Sequence, residues 1–445
     1  MVASPSSRAK RGDPVKDYKE YIFEFTSGLP RSLSLPRNDS GVKFNKIMKK
    51  DFFSTTKLPP YIFEAINQSK ARAVAKGLDI IDFGMGNPDM SPPKSARKLL
   101  GELVQDPSLY GYSDVGGIED LKKAHCSYYK KRFNVDLNPK KESIATIGAK
   151  EGLTSLAVAL SGGDDYIVTL DPSYPIHSFA FVIAKINVKK IEAIDAWDYL
   201  AKFKELVAKA DKKPTAILVN YPSNPTGESV SLEFYQELVD FCRAQEIYII
   251  SDLAYCELYF DEKYKPHSIL EIEGAKDVAI EFSTVSKTFC LAGTRVGFAA
   301  GNQDLIDALH KMKSYLDYGS FTPLQKVAAH CLENETGEYL DEMRAVYIKR
   351  AKFMVDIFAK ELNWQCEMPT ASMFIWTKLP EKFAEMGSFE FCKMLIEDYG
   401  VAFSPGSGFG KMGEGKVRIS LIHDEGNVRE VVERLKGALS LRGMA

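Results

Sequence analysis

No uninterrupted apolar run in this 445-residue chain reaches the roughly 18 residues that a membrane span needs. Charge of one sign is not in excess either. Lys plus Arg (58) nearly balances Asp plus Glu (60), for a net charge of −2, so no strong field favours nucleic acid or acidic membranes, although a local basic patch stays open. Cysteine is sparse and odd in number: seven, at 126, 242, 256, 290, 331, 366 and 392, with no CxxC pair. That argues against a disulfide framework or a zinc site and for a reducing, cytoplasmic compartment. The six histidines are scattered, without HExxH or another close metal spacing, so no metal is expected. No internal repeat is evident.

What is present is ordinary for a soluble globular chain: 45% hydrophobic and 27% charged residues, which excludes a mostly disordered protein. The length allows about two to three domains. Residues 1–50 mix Ser, Pro, Gly and many Lys/Arg without sustained periodicity and lack the apolar centre of a signal peptide. Asp13, Asp17, Glu20 and Glu24 argue against an acid-poor transit peptide. A mobile extension, or an upstream start before a natural one near Met48, is the expectation there.

From Asp51 onward short β-branched runs alternate with amphipathic stretches. Strands are predicted at 143–147, 166–170, 216–220, 247–251, 278–283 and 296–300, with helices at 152–160 and 232–245 among them. Apolar strands separated by helices imply βαβ crossovers and a mainly parallel sheet covered on both faces. The stretch 324–360 reads as one long helix. The remainder, with short strands at 372–378 and 416–421, reads as a smaller α+β domain.

In an open parallel sheet, ligands bind beyond the carboxyl ends of the strands. The unusual residues fall there: Tyr221-Pro222-Ser223-Asn224-Pro225-Thr226-Gly227 after one strand, Asp252-Leu253-Ala254-Tyr255 after the next, and Thr284-Val285-Ser286-Lys287 after a third. Gly148-Ala149-Lys150-Glu151-Gly152 opens a helix after a fourth. Singly, each has an ordinary explanation: a solvated lysine, a turn, a helix cap. Jointly they bring a carboxylate, an amide, a phenol, a lysine, hydroxyls and a helix N-terminus to one crevice.

With these motifs in place, the run from about Lys57 to Gly437 resembles the class I aminotransferases of pyridoxal-phosphate fold type I, most of all their bacterial glutamate–pyruvate (alanine) branch. Further matching text is Leu58-Pro59-Pro60-Tyr61, Asp82-Phe83-Gly84-Met85-Gly86-Asn87-Pro88-Asp89, Thr146-Ile147-Gly148-Ala149-Lys150-Glu151-Gly152-Leu153 and Pro172-Ser173-Tyr174-Pro175-Ile176-His177. Arg295-Val296-Gly297-Phe298, Lys313-Ser314-Tyr315, Tyr318-Gly319 and Val417-Arg418 complete it. The resemblance implies an α/β fold: a large domain at 93–323 with a mainly parallel seven-stranded sheet flanked by helices, and a smaller α+β domain built from 51–92 and 324–445.

The same resemblance implies pyridoxal 5'-phosphate as cofactor. Lys287 would form the Schiff base and carry the proton, Asp252 would hold the pyridine nitrogen protonated, and Asn224 and Tyr255 would bond the phenolate oxygen. Tyr174 would stack on one ring face, with Ala254 against the other. The backbone of Ala149 and Lys150, with Thr284, Ser286 and Arg295, would hold the phosphate. Tyr112 would reach the phosphate of the other subunit of a homodimer. Arg418 would pair with the substrate carboxylate, with Asn224 beside it, and Gly86 would allow close backbone approach.

Two positions depart from the branch: Thr294 stands where a larger aromatic residue is common, and Ala149 replaces a hydroxyl residue. No second arginine marks a site for a side-chain carboxylate. The implied reaction is L-alanine plus 2-oxoglutarate giving pyruvate plus L-glutamate. The alternatives are another amino donor (LL-diaminopimelate, aspartate or an aromatic amino acid) or a carbon–sulfur β-lyase of the same fold. A regulator's sensor domain is disfavoured because 1–50 lack a helix-turn-helix pattern. A Ser-Lys hydrolase would require serine at 284, which is threonine. Gly406-Ser407-Gly408-Phe409-Gly410 follows no strand of a dinucleotide unit and reads as a loop.

Overall fold

The computed structural model of the protein describes Leu58 and residues 62–162 and 165–439. The extension expected at 1–50 lies outside the described residues, as do Pro59, Pro60 and Tyr61.

The chain enters through helix α1 (Ile62–Ala75), the two-residue strand β1 (Ile81–Asp82), α2 (Lys94–Leu103) and α3 (Glu119–Phe133). An alternating run follows: β2 (Ser143–Thr146), α4 (Ala149–Ala159), β3 (Tyr166–Asp171), α5 (Ile176–Ile183), β4 (Asn187–Glu192), α6 (Ala196–Lys209), β5 (Ala216–Val219), α7 (Leu232–Gln245), β6 (Tyr248–Asp252), β7 (Ala279–Thr284), the one-turn α8 (Val285–Thr288) and β8 (Gly297–Gly301). These strands form one seven-stranded sheet in the order β2-β8-β7-β6-β5-β3-β4. Only β8 runs against its neighbours. The mainly parallel α/β sheet is therefore as expected.

Side chains alternate across the two faces of each strand. Ile217 and Ile249 enter one apolar cluster, whereas Leu218 and Ile250 enter the other. Both faces are packed, which is why β5, Ala216-Ile217-Leu218-Val219, reads as an unbroken apolar run. Strand β4 was not predicted. Its sequence Asn187-Val188-Lys189-Lys190-Ile191-Glu192 is mostly exposed, because it is a sheet edge. Lysines on an edge discourage pairing with other chains, and they also hide the strand from an apolar-run search.

Beyond β8 come α9 (Gln303–Leu316), α10 (Thr322–Asn334), α11 (Glu338–Leu362), β9 (Phe374–Lys378), α12 (Ser388–Tyr399), β10 (Val401–Ala402), β11 (Ser404–Pro405), β12 (Lys416–Ser420) and α13 (Glu425–Leu439). The single helix predicted over 324–360 is two helices. The break falls at Glu335-Thr336-Gly337, where Gly337 stands as N-cap of α11 and Glu338 and Asp341 occupy its first turn. Acidic side chains there suit the positive end of a new helix better than the interior of a continuing one.

Strands β11, β12 and β9 form an antiparallel sheet, and β1 pairs in parallel with β10. The stretch after β1 is fastened to β12: Phe83 O accepts from Ser420 N (2.8 Å) and from Ser420 Oγ (2.6 Å). Among the described residues no helix is long and apolar enough to cross a membrane.

Candidate active site

A cavity of about 330 Å³ opens at the carboxyl edge of the parallel strands. Four strand ends feed it. The β2–α4 turn supplies Ala149 and Lys150, the segment after β5 supplies Asn224, and β6 and its following loop supply Asp252, Ala254 and Tyr255. The β7–α8 junction supplies Thr284, Ser286 and Lys287. Because β8 is reversed, its first residue Gly297 pairs with Thr146 and with Thr284, which brings Arg295 to the same edge. Tyr174, after β3, also lines the cavity. The opposite wall carries Gly84, Met85 and Gly86, then Phe374, Ser404 and Arg418 from the three-stranded sheet, and one face of α1. Every predicted site residue lines this cavity except Tyr112. Tyr112 is 89% exposed, and its ring centroid lies 4.7 Å from that of Tyr318.

Lys287 sits on the short α8, whose N-cap Thr284 accepts from Ser286 N at 3.1 Å. Its Nζ donates to Gly86 O across the cavity. Burial, reinforced by the Arg418 guanidinium, pushes the Lys287 ammonium down to about 8. The neutral, nucleophilic amine is therefore far more populated near neutral pH than in an ordinary lysine, though still the minor form.

Asp252 closes β6. Its Oδ2 lies 2.9 Å from His177 Nε2, Oδ1 accepts from Ala254 N at 3.2 Å, and its backbone oxygen accepts from Asn220 Nδ2 at 2.7 Å. Asn220 Oδ1 in turn accepts from Asn224 N at 2.9 Å, tying the ends of β5 and β6 together. Tyr255 stands edge-on to Phe374, with centroids 5.8 Å apart. Burial raises its phenol, opposed by Arg418, so it remains a protonated donor.

The β2–α4 turn is a cradle for an anion. Gly148 has φ +78°, a Cβ there would fall 2.2 Å from Arg295 Nη2, and a Cβ on Gly297 would fall 2.6 Å from Ala149 N. Glycine at both positions lets the guanidinium and the first amides of α4 approach each other. Thr284 Oγ1 and Ser286 Oγ, 2.9 Å apart, add hydroxyls to the same corner.

Arg418, in the middle of β12, is only 6% exposed. Its Nη1 donates to Asn224 Oδ1 at 2.7 Å, and Nη2 donates to Gly84 O at 2.9 Å and Ser404 Oγ at 3.3 Å. The rings of Phe374 and Phe409 lie 4.0 and 4.6 Å from its guanidinium carbon. A guanidinium so clamped is held in plane for a carboxylate.

Several participants escaped the sequence reading. His177 stood in a matching motif but carried no role. Asn220 ended a predicted strand, with nothing to mark its side chain as a brace. Phe63, Ile66, Asn67 and Lys70 line the cavity at the spacing i, i+3, i+4, i+7 of a single helical face. That periodicity was legible, but nothing local told which object the face looks upon.

The model of the family "Aminotransferase class I and II" matches residues 78–435. The chain belongs to this family. The aminotransferase is 44% identical over 390 residues to "Putative aminotransferase AatC" of Rhizobium meliloti, covering 88% of this chain and 96% of that protein. It is 38% identical over 393 residues to the glutamate-pyruvate aminotransferase AlaC of Escherichia coli (88% and 95% covered). It is 37% identical over 378 residues to an LL-diaminopimelate aminotransferase of Nitratidesulfovibrio vulgaris (85% and 96% covered). Among solved structures, substrate-bound BacF of Bacillus subtilis superposes with a TM-score of 0.82 at 31% identity, over 88% of this chain and 98% of that one. The fold is that of the type I pyridoxal-phosphate aminotransferases, and the enzyme is a transaminase that depends on pyridoxal 5'-phosphate. The residues present fit that group: an amine lowered to about 8, a carboxylate braced by a histidine, and a glycine-lined cradle of amides, hydroxyls and guanidinium for a phosphate.

Proposed function

We propose that this aminotransferase moves the amino group of L-alanine to 2-oxoglutarate, giving pyruvate and L-glutamate in two half-reactions. The observation that carries the reading is the convergence of Lys287, Asp252, Asn224, Tyr255 and Arg418 on one cavity. Pyridoxal phosphate, when bound, supplies the carbonyl that takes up the amino nitrogen and a ring that accepts the electron pair of the broken Cα–H bond.

The chain's residues then have separate tasks. Lys287 anchors the cofactor through its amine and, once released, moves the proton at the substrate α-carbon through Nζ. Asp252 keeps a proton on the ring nitrogen by a charge-assisted hydrogen bond, and His177 holds that carboxylate in place. Asn224 and Tyr255 donate to the phenolate oxygen. Tyr174 and Ala254 cover the two ring faces. The amides of Ala149 and Lys150, the hydroxyls of Thr284 and Ser286, and Arg295 hold the phosphate. Tyr112, exposed and outside the cavity of its own subunit, reaches the partner's phosphate in a homodimer. Arg418 pairs with the α-carboxylate, and Gly86 leaves room for it: a Cβ there would fall 2.6 Å from Phe374 Cζ.

Likeness to AlaC and the apolar Phe63 and Ile66 on the α1 wall support a small donor side chain. A panel of amino donors, assayed on the holoenzyme with pyruvate and with 2-oxoglutarate as acceptors, tests the reading. Alanine and glutamate should give the highest kcat/KM. Preference for LL-diaminopimelate, aspartate or an aromatic donor would overturn the donor assignment.

A further inference from the structure

An enzyme that alternates between alanine and glutamate must accept a methyl group and a second carboxylate in one cavity. Five cationic side chains line that cavity among the described residues. Lys287 is the reacting amine, Lys150 and Arg295 stand at the phosphate cradle, and Arg418 takes the α-carboxylate. Lys70 is left, on the α1 wall.

We propose that Lys70, assisted by the Asn67 amide, receives the side-chain carboxylate of glutamate and 2-oxoglutarate, and that Asp82 holds Lys70 whenever the bound acid has none. The proposal rests on the reading above and deepens it by naming how a dicarboxylate is recognised.

Lys70 Nζ lies 2.6 Å from Asp82 Oδ2. The two side chains keep 19% and 34% of their exposure, so neither is locked in a dry interior. A pair in such surroundings is weak, and exchanging one carboxylate for another costs little. Asp82 also has a second anchor: its Oδ1 accepts from Gly84 N at 2.8 Å. The carboxylate therefore keeps its place when the ammonium leaves it. Gly84 O accepts from Arg418 Nη2 at 2.9 Å, so one tight turn links the two cations.

Position on the helix separates the two substrates. Phe63 and Ile66 give the α1 stripe an apolar surface for a methyl group, while Asn67 and Lys70 give it a donor and a charge. With alanine or pyruvate bound, Lys70 stays on Asp82 and no unpaired charge is created. With glutamate or 2-oxoglutarate bound, the distal carboxylate replaces Asp82 as partner.

The test uses holoenzyme and two unreactive acids, glutarate and butyrate, whose binding is followed through the cofactor's absorbance. Lys70→Met should weaken glutarate about ten- to hundredfold while the glutarate-to-butyrate preference collapses. Lys70→Arg should retain that preference. Asp82→Asn, which keeps an oxygen for Gly84 N but drops the charge, should tighten glutarate. A merely structural ion pair predicts otherwise: both acids weaken together in Lys70→Met, and Asp82→Asn weakens glutarate. Either result would overturn the proposal, as would a glutarate affinity that Lys70→Met leaves unmoved. Neither acid is an amino donor. A donor panel that rejects alanine therefore leaves this result standing, while normal alanine–2-oxoglutarate turnover with unmoved glutarate affinity rejects Lys70 alone.

Discussion

Arg418 Nη1 lies 2.7 Å from Asn224 Oδ1, and this bond fixes which way the Asn224 amide points. A guanidinium can only donate, so the atom facing it must be the amide oxygen. The amide NH2 then faces elsewhere and is available as a donor. One asparagine thus joins Arg418 on β12 to the segment after β5 through its oxygen. Asn220, whose Oδ1 accepts from Asn224 N at 2.9 Å, holds the backbone on which this depends.

Arg418→Lys should raise KM for amino and oxo acids alike by about ten- to hundredfold, because one point charge replaces two donors in a fixed plane. The absorbance of bound cofactor should be unaltered. Steady-state kinetics with both substrate pairs checks this, and unchanged KM values would remove Arg418 from the substrate site.

Asp252→Asn keeps the shape and removes the charge. The single-turnover rate should fall about a hundred- to thousandfold, the scale for loss of one preorganised electrostatic partner. Cofactor affinity should fall far less. Rapid-mixing measurements and cofactor titration separate the two, and equal losses would count against a role at the ring nitrogen.

How much of this was legible beforehand follows from range. The strand ends carrying Asn224, Asp252 and Lys287 could be read because an apolar run and the polar residues after it are neighbours in sequence. The α1 wall could not, since its partners on the other side of the cavity, such as Asn224 and Lys287, lie far along the chain. His177 and Asp252 are 75 residues apart and meet only when α5, packed against β3 and β4, brings its first turn to the end of β6. Strand β4 was hidden by its lysines. The break at Gly337 did leave a trace, since Glu333-Asn334-Glu335-Thr336-Gly337-Glu338 holds no apolar side chain, but the helix-compatible residues on either side masked it.

Gly148→Ala tests the cradle. The added methyl carbon would fall 2.2 Å from Arg295 Nη2, at a backbone φ of +78° that side-chain-bearing residues rarely adopt. Both effects push the guanidinium away from the first turn of α4. Affinity for pyridoxal phosphate should fall about tenfold or more, the scale of one lost charge-assisted hydrogen bond. Equilibrium dialysis of the apoenzyme reads this directly, and wild-type affinity in the variant would place the phosphate elsewhere.

The last prediction concerns the charge on Lys287. Its ammonium is pushed down to about 8 from an ordinary 10.5, chiefly by burial and then by Arg418. Below about pH 8 both the folded and unfolded apoenzyme are protonated there, and the folded form bears the full cost of a buried cation. Between about 8 and 10.5 the unfolded chain binds more protons than the folded one, so stability must rise with pH across that window. Relative to Lys287→Met, the apoenzyme should therefore gain thermal stability as pH rises from 8 to 10. Reaction of the apoenzyme with a small aldehyde should likewise accelerate with pH, with a midpoint near 8, because only the neutral amine attacks. Arg418→Met should move that midpoint upward by removing the neighbouring positive charge. A midpoint at 10.5 in the unaltered protein would show that neither burial nor the guanidinium sets the reactivity of this amine, and one near 8 that Arg418→Met leaves in place would rule out the guanidinium's share.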